Sequence, residues 1–198
     1  MVTAPKPLPR MTEAEYLEWE ARQDTRHEFV DGEVFAMVGV SRPHVYIVAN
    51  LMRDLGVHLR GTPCSPMATD FKVRSPRGNY RYPDVFVECE RKGGGTYHSE
   101  EPVLLIEVLS DSTRKIDERD KPLEYFNIPT LQEYVLIEQD FVKVQVLRRS
   151  QHWRADTYFL GDSIRFDSID LDLPVEDVYE RVETGELREW RERDADGE

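Results

Sequence analysis

The chain has 198 residues, of which 39% are hydrophobic and 33% are charged, with a formal net charge of −13 at pH 7. This composition suits one globular domain, and no stretch is apolar and long enough to predict a membrane span. The negative charge argues against a general nucleic-acid binder, although ten acidic residues and four arginines lie in 176–198, so part of the acidity belongs to the C-terminal end.

The N-terminal part of the chain predicts a helix, a hairpin and a second helix. Thr12 and Glu15 form a capping box, which predicts a short helix over about 13–22. In HEFVDGEVFAMV, an Asp-Gly pair between two apolar runs predicts a β-hairpin. Ser41 then caps a second helix, in which apolar residues recur at helical spacing to about residue 59.

The rest of the chain is mainly strands. The middle of the chain reads α-β-β-β-α-β, because alternation and apolar runs predict strands and a helical period follows them. Pro122 fits either a helix that begins near residue 118 or a kink there. The predicted strands are 66–74, PDVFVEC, 102–109, 133–138, 141–148 and 152–160, and the predicted helices are 117–127 and 174–192.

The chain shows no repeat and no linker, so we predict a single domain over 10–182. An acidic, frayed tail over 183–198 follows this domain. Cys64 and Cys89 stand without a CxxC pair or zinc-type spacing, and we interpret them as two reduced thiols. The N-terminal stretch lacks the apolar core of a signal peptide, so we expect a cytoplasmic protein.

A carboxylate lies inside the apolar run PVLLIEVL. Glu107 is costly there unless it is ion-paired or bound to a metal. Asp84 begins the preceding strand, and two adjacent strands would bring both carboxylates to one face. The pair would repel without a cation, and Mg²⁺, or Mn²⁺ in its place, takes such oxygen ligands, with the Val108 carbonyl as a third. The alternatives are an arginine partner for Glu107 and a turn role for Asp84.

Pro83-Asp84 followed by Glu107 on the next strand resembles the PD-(D/E)XK nuclease superfamily, whose core is α-β-β-β-α-β. That pattern usually has a lysine two residues after the glutamate, where this chain has Leu109. The segments YPDVFVE, LLIEVLSDSTRKIDERDKPLEYFNIPTLQEYVLIE, HEFVDGEVFAMV and SRPHVYIVANLMRDL together resemble the Uma-type family of restriction-endonuclease-like proteins, over about 10–182. This resemblance implies that the lysine has moved to the following helix, as Lys121.

The resemblance implies an α/β fold with a restriction-endonuclease-like α-β-β-β-α-β core and a mixed central sheet. An N-terminal helix and hairpin and extra C-terminal strands complete the expected fold. It also implies a Mg²⁺-dependent endonuclease that acts on DNA and permits a homodimer, with Asp84, Glu107 and Lys121 as catalytic residues. The alternative is an inactive nuclease fold that serves as a binding module, which the acidic charge and the missing strand lysine favour.

Four further residues, and more weakly a fifth, are candidates for supporting roles at the site. Asp117 either caps its helix or orients Lys121, and Asp70 is a candidate polar neighbour of the metal. Glu33 is either a solvated strand residue or, by the resemblance, an acid at the rim, and Glu28 is a weaker candidate of the same kind. His44 either packs at its helix start or contacts phosphate.

A basic segment lies between Phe71 and Pro83 and contains no acid. We expect it to flank the site and contact the DNA backbone, because an acidic chain needs a local positive surface to bind phosphate. The alternative is a solvated hairpin tip. The basic residues of this segment are Lys72, Arg74, Arg77 and Arg81.

Overall fold

The computed structural model describes residues 10–37, 39–68, 70–90, 95–111 and 113–195. Its first half contains two helices and eight strands. In chain order these are α1 (Glu13–Glu20), β1 (His27–Val30), β2 (Glu33–Ala36), α2 (Arg42–His58), β3 (Cys64–Ala68), β4 (Lys72–Arg74), β5 (Tyr80–Arg81), β6 (Val85–Cys89), β7 (His98–Ser99) and β8 (Pro102–Leu109).

The second half begins with a π-helical turn, Ile116–Asp120, that runs directly into an α-helix. From this α-helix onward the described part of the chain contains three α-helices and five strands. They are α3 (Lys121–Tyr125), β9 (Glu133–Glu138), β10 (Val144–Arg148), β11 (Ala155–Tyr158), β12 (Ser163–Phe166), β13 (Leu171–Pro174), α4 (Val175–Val178) and α5 (Gly185–Ala195). No helix in the described part of the chain has the length and apolar character needed to cross a membrane.

The central sheet has six strands in the order β11-β10-β9-β8-β6-β3. Strand β6 is antiparallel to both of its neighbours, β3 and β8, whereas β9 runs parallel to β8. Ile106 packs on one face with Ile47 of α2, while Leu105 packs on the other with Tyr125 of α3. The predicted α-β-β-β-α-β core with a mixed sheet and extra C-terminal strands is therefore confirmed.

A second sheet, in the order β2-β1-β5-β4-β7, carries the predicted N-terminal hairpin. Asp31 and Gly32 both have positive φ angles, of 50° and 88°, as the tight turn between β1 and β2 requires. The predicted capping box at Thr12 is present, and Tyr16 of α1 stacks on Phe29 with ring centroids 4.9 Å apart. Helix α1 and the hairpin thus form a small core of their own beside the central sheet.

The predicted strand over 66–74 is wrong as a single element. The chain forms β3 and β4 there, and these belong to different sheets. Asp70, with a φ of 50°, lies between them in the left-handed region and turns the chain from one sheet to the other. The alternating pattern does not record this change, because Met67 of β3 and Val73 of β4 belong to the same hydrophobic cluster although their strands lie in different sheets.

The predicted helix over 174–192 is also interrupted, by a turn in which Arg181 has a φ of 66°. Helices α4 and α5 lie on either side of it. The expectation of a frayed tail over 183–198 is corrected by α5, whose Leu187 is buried in the main core. Glu186 adds a contact, because its carboxylate accepts a hydrogen bond from the Val142 amide at 3.0 Å. Residues 196–198 lie outside the described ranges.

Cys64 and Cys89 form a disulfide, so the interpretation of two reduced thiols is wrong. The two residues are direct partners in the antiparallel pairing of β3 with β6. Their separation of 25 positions gives no sign of this, because only the register of the two strands brings them together.

Candidate active site

Asp84 and Glu107 meet at one end of the central sheet. Strand β6 pairs with β8 so that Val85 lies opposite Ile106, and continuing this register by one residue puts Asp84 opposite Glu107. The Val108 amide donates a hydrogen bond of 2.7 Å to Oδ2 of Asp84, which fixes that carboxylate against β8. Both acids line a cavity of about 420 Å³, so the predicted convergence is present in the structure.

The cationic partner of Glu107 is Lys121. Its Nζ atom lies 2.8 Å from Oε1 of Glu107 and 2.8 Å from Oδ1 of Asp117. The Tyr125 hydroxyl also donates to Oε1 of Glu107, at 3.3 Å. Glu107 is 2% exposed and Lys121 is 6% exposed, so this ion pair is inside the protein. The lysine comes from the helix after the strand, and no arginine takes this place among the described partners of Glu107.

A local irregularity of the chain aims Lys121 at the cavity. The Lys121 amide donates to the Ile116 carbonyl, the wider i to i−5 spacing of a π-helical turn. Pro122, which has no amide hydrogen, then takes the second position of α3, and the Asp117 carbonyl, five residues before it, accepts a hydrogen bond from the Tyr134 hydroxyl at 2.8 Å instead. The open choice between a helix start and a kink resolves into a π-helical turn followed by a short α-helix.

Burial dominates the electrostatics of this ion pair. It raises the pKa of Glu107 well above its usual value, Asp117 and Asp84 raise it further, and Lys121 opposes them. Burial also lowers the pKa of Lys121, but the neighbouring carboxylates, led by Glu107, outweigh it and raise the lysine's pKa well above its usual value. Lys121 therefore keeps its positive charge in the cavity.

The cavity wall has an excess of acidic groups. Four carboxylates line it, whereas Lys121 is the only lysine or arginine among the described lining residues. If all four are ionised, a negative charge remains near a set of oxygen atoms, which is the condition under which a divalent cation binds. The four carboxylates are Glu28, Asp84, Glu107 and Asp117.

His44 contacts Asp84 directly. Its Nε2 atom lies 3.0 Å from Oδ1 of Asp84, on the side of the carboxylate away from the Val108 contact. Helix α2 holds the imidazole there, since His44 is in its first turn and its amide donates to the Ser41 side chain at 3.3 Å. The structure thus gives His44 a role in orienting the carboxylate, beyond the two roles that the sequence suggested.

Two of the predicted supporting acids do not line the cavity. Glu33 is exposed and pairs with Arg10 at 2.9 Å. Asp70 is also exposed and pairs with Arg26 at 3.3 Å. Glu28, which the sequence ranked below Glu33, is the hairpin acid that lines the cavity, with Oε1 at 4.0 Å from the Lys121 ammonium.

The basic segment is not a free positive surface. Lys72 and Arg81 are buried, Arg74 is ion-paired, and Arg77 is the one exposed cation of the four. Buried cations that already have partners inside the protein cannot reach phosphate unless those contacts break. The partners are Tyr82 for Lys72, Glu13 and Glu100 for Arg74, and Glu28 and Glu124 for Arg81.

The donor set is compatible with a metal that retains much of its water. Asp84 and Glu107 offer carboxylate oxygens, and Oδ1 of buried Asp117 makes no well-directed hydrogen bond although the Lys121 ammonium lies 2.8 Å away. No three His, Cys, Asp or Glu side chains form a complete metal-holding group within the described ranges. Mg²⁺ fits such a partial set, because it binds through one or two carboxylates and keeps several waters.

Comparison with known proteins adds three findings. A family model described as "Uma2: Putative restriction endonuclease" matches residues 13–176. The Synechocystis sp. protein slr1290 is 34% identical to this chain, in a match that covers 87% of this chain and 93% of that protein. The Synechocystis sp. protein sll1609 is 32% identical, in a match that covers 68% of this chain and 78% of that protein. A crystal structure titled as a putative nuclease belonging to DUF820, from Anabaena variabilis, shares the fold, with a TM-score of 0.71 at 17% identity over 85% of this chain and 97% of that one.

Proposed function

Because this chain belongs to the Uma2 family, described as putative restriction endonucleases, we propose that it is a metal-dependent nuclease that hydrolyses phosphodiester bonds of DNA. One observation carries the proposal. Asp84, Glu107 and Lys121, from the start of β6, from β8 and from α3, line one cavity, with the lysine ammonium 2.8 Å from the glutamate. A purely structural ion pair needs neither the second carboxylate nor a cavity that admits a ligand.

We assign metal binding to the carboxylates of Asp84 and Glu107 and to the Val108 carbonyl, with Mg²⁺ or Mn²⁺ as the ion. When bound, the ion would polarise the phosphodiester and lower the pKa of a water. The contacts that hold Asp84 are in place, since the Val108 amide fixes one oxygen and His44 the other. Asp84 is therefore oriented before any ligand arrives, which reduces the cost of ordering the site.

Lys121 supplies positive charge at the reacting phosphate. Its ammonium is charged, buried and held between Glu107 and Asp117. In a cavity of low dielectric, a cation next to the phosphate offsets the negative charge that develops as the bond to the leaving oxygen breaks. Asp117 is assigned to positioning, because it holds the ammonium from one helical turn away.

The same ion pair favours a second candidate function. Lys121 already compensates Glu107 and Asp117, as expected if the fold survives as a binding module without turnover. The two functions differ in what replacement of Asp84 changes. Loss of the carboxylate abolishes cleavage by a nuclease, whereas an inactive module has no cleavage to lose and keeps its binding.

A cleavage assay separates the candidates. The wild-type chain is incubated with fluorescently labelled single-stranded and duplex DNA in Mg²⁺, in Mn²⁺ and in EDTA. We expect cleavage with either ion, none in EDTA, and none by Asp84→Asn, while the exposed Asp24→Asn serves as a matched control and cuts like the wild type. If the wild type cuts no DNA with either ion, or if Asp84→Asn cuts equally well, the proposal is wrong.

A further inference from the structure

The mouth of the candidate active-site cavity is apolar, although its floor is charged. Phe35, Met37, Val40 and Ile116 line the cavity and are also exposed, with 49% of Phe35 accessible. Phe35 belongs to β2, Met37 and Val40 to the segment that leads to α2, and Ile116 begins the π-helical turn. Exposed apolar residues are ordinary when scattered, but four around one opening form a patch that indicates a binding surface. We call these four residues the apolar rim.

The charge near the cavity does not favour tight binding of the phosphates of a nucleic-acid backbone. Affinity for duplex DNA comes largely from lysine and arginine contacts to phosphates. Here Lys72 and Arg81 are buried, Arg74 is ion-paired and the cavity wall is acidic. Few cations near the cavity are therefore available to hold the backbone of a nucleic-acid substrate, and its bases are the apolar part that it can offer to the rim.

The size of the cavity points in the same direction. Its volume of about 420 Å³ falls in the range of small-molecule sites, which suits a single nucleotide and excludes the width of a duplex. In a paired duplex the faces of the bases are stacked inside the helix, where a protein aromatic ring cannot reach them. An unpaired base exposes a π-face that stacks on aromatic side chains with little dependence on sequence.

We propose that the apolar rim receives an unpaired nucleobase that stacks on Phe35, while its phosphate reaches the Lys121 ammonium below. The substrate class is then single-stranded DNA or an unpaired DNA end. This inference rests on the proposed function, because it takes DNA as the substrate. A second copy of this chain seated on the rim is the competing occupant, and the experiment measures it directly.

The test is binding, measured in EDTA so that no cleavage interferes. Fluorescence anisotropy compares a labelled oligothymidine with the same strand in duplex with oligoadenosine, for the wild type, Phe35→Ala and Phe159→Ala. Phe159 is a matched control, because it is 52% exposed and is not among the residues that line the cavity. Sedimentation of the same three proteins reports whether any substitution changes the oligomeric state.

We expect the wild type to bind the single strand at least five-fold more tightly than the duplex. Phe35→Ala should weaken single-strand binding by about five- to 150-fold, the range that loss of one base-stacking contact gives, and Phe159→Ala should not. Equal binding of both DNA forms, equal effects of the two substitutions, or a dimer lost in Phe35→Ala with single-strand affinity unchanged would each overturn the inference. Metal-dependent cleavage of duplex DNA alone would overturn the inference while the proposed nuclease function stands. Phe35-dependent binding of single-stranded DNA without any cleavage would overturn the nuclease function while base stacking on the rim stands.

Discussion

Replacing Lys121 by methionine tests the buried ion pair most severely. The substitution keeps the length and apolar stem of the side chain and removes the ammonium. It leaves Glu107 and Asp117, each 2.8 Å from that ammonium in the wild type, without their nearest cation. Both carboxylates are buried, so water cannot replace the lost partner without opening the site.

The expected cost follows from this burial. Removing one partner of a buried ion pair lowers the free energy of unfolding by about 3–5 kcal/mol. For a chain of this size that corresponds to a fall of roughly 6–20 °C in the melting temperature. Glu107 already has a raised pKa, and losing Lys121 raises it further. The folded variant therefore binds a proton that the unfolded chain releases above about pH 4.5, so its stability falls as the pH rises from that value.

Urea unfolding followed by circular dichroism at pH 5 and pH 8 measures both effects. We expect Lys121→Met to be less stable than the wild type at both values, with the larger deficit at pH 8. Lys115→Met is the control, because Lys115 is exposed in the same segment and its loss should change the free energy of unfolding by less than about 0.5 kcal/mol. A Lys121→Met chain as stable as the control at pH 8 would refute the buried ion pair.

Three further predictions concern other parts of the structure. Glu107→Gln should keep the fold and be unchanged or slightly more stable without metal, because burial penalises the Glu107 charge and Asp117, 2.8 Å from the ammonium, still compensates Lys121. It should also lose the thermal shift that Mg²⁺ gives the wild type, and a Glu107→Gln chain that fails to fold would make the residue purely structural. Arg81→Met should cost about 3–5 kcal/mol in urea unfolding, because it leaves the buried Glu124 carboxylate without its cation and removes the nearer of the two cations beside partly buried Glu28. Exposed Arg77→Met should cost less than about 0.5 kcal/mol, and equal costs would contradict the burial of Arg81. Dithiothreitol should lower the free energy of unfolding by about 3.5 kcal/mol, as loop closure over 25 positions predicts for the Cys64–Cys89 bond, and a chain indifferent to reduction would contradict the disulfide.

Much of the central fold could be predicted because it depends on local patterns. The capping box at Thr12, the Asp-Gly turn and the apolar run around Glu107 each specify their own element from neighbouring residues. The position of Glu107 also pointed to a site, since a carboxylate in such a run needs a positive partner. The resemblance then supplied Lys121 as the candidate, and the structure places its ammonium beside Glu107.

What could not be predicted depends on contacts between distant residues. Arg81 resembles any solvated arginine in the sequence, and only its ion pair with Glu124, 43 positions away, shows that it is buried. The disulfide depends in the same way on the register of two strands. Glu28 lies directly opposite Phe35 in the pairing of β1 with β2, and both residues line the cavity, whereas Glu33 lies at the turn end of β2 and pairs with Arg10.

The central claim is that Asp84 and Glu107 hold a divalent cation in the cavity. Isothermal titration calorimetry with Mn²⁺ tests it most directly, because it reports binding without any assumption about substrate. The account predicts one bound ion per chain for the wild type and for the control Asp24→Asn, and no binding by Asp84→Asn. Binding of Mn²⁺ by Asp84→Asn with the stoichiometry and affinity of the wild type would contradict it.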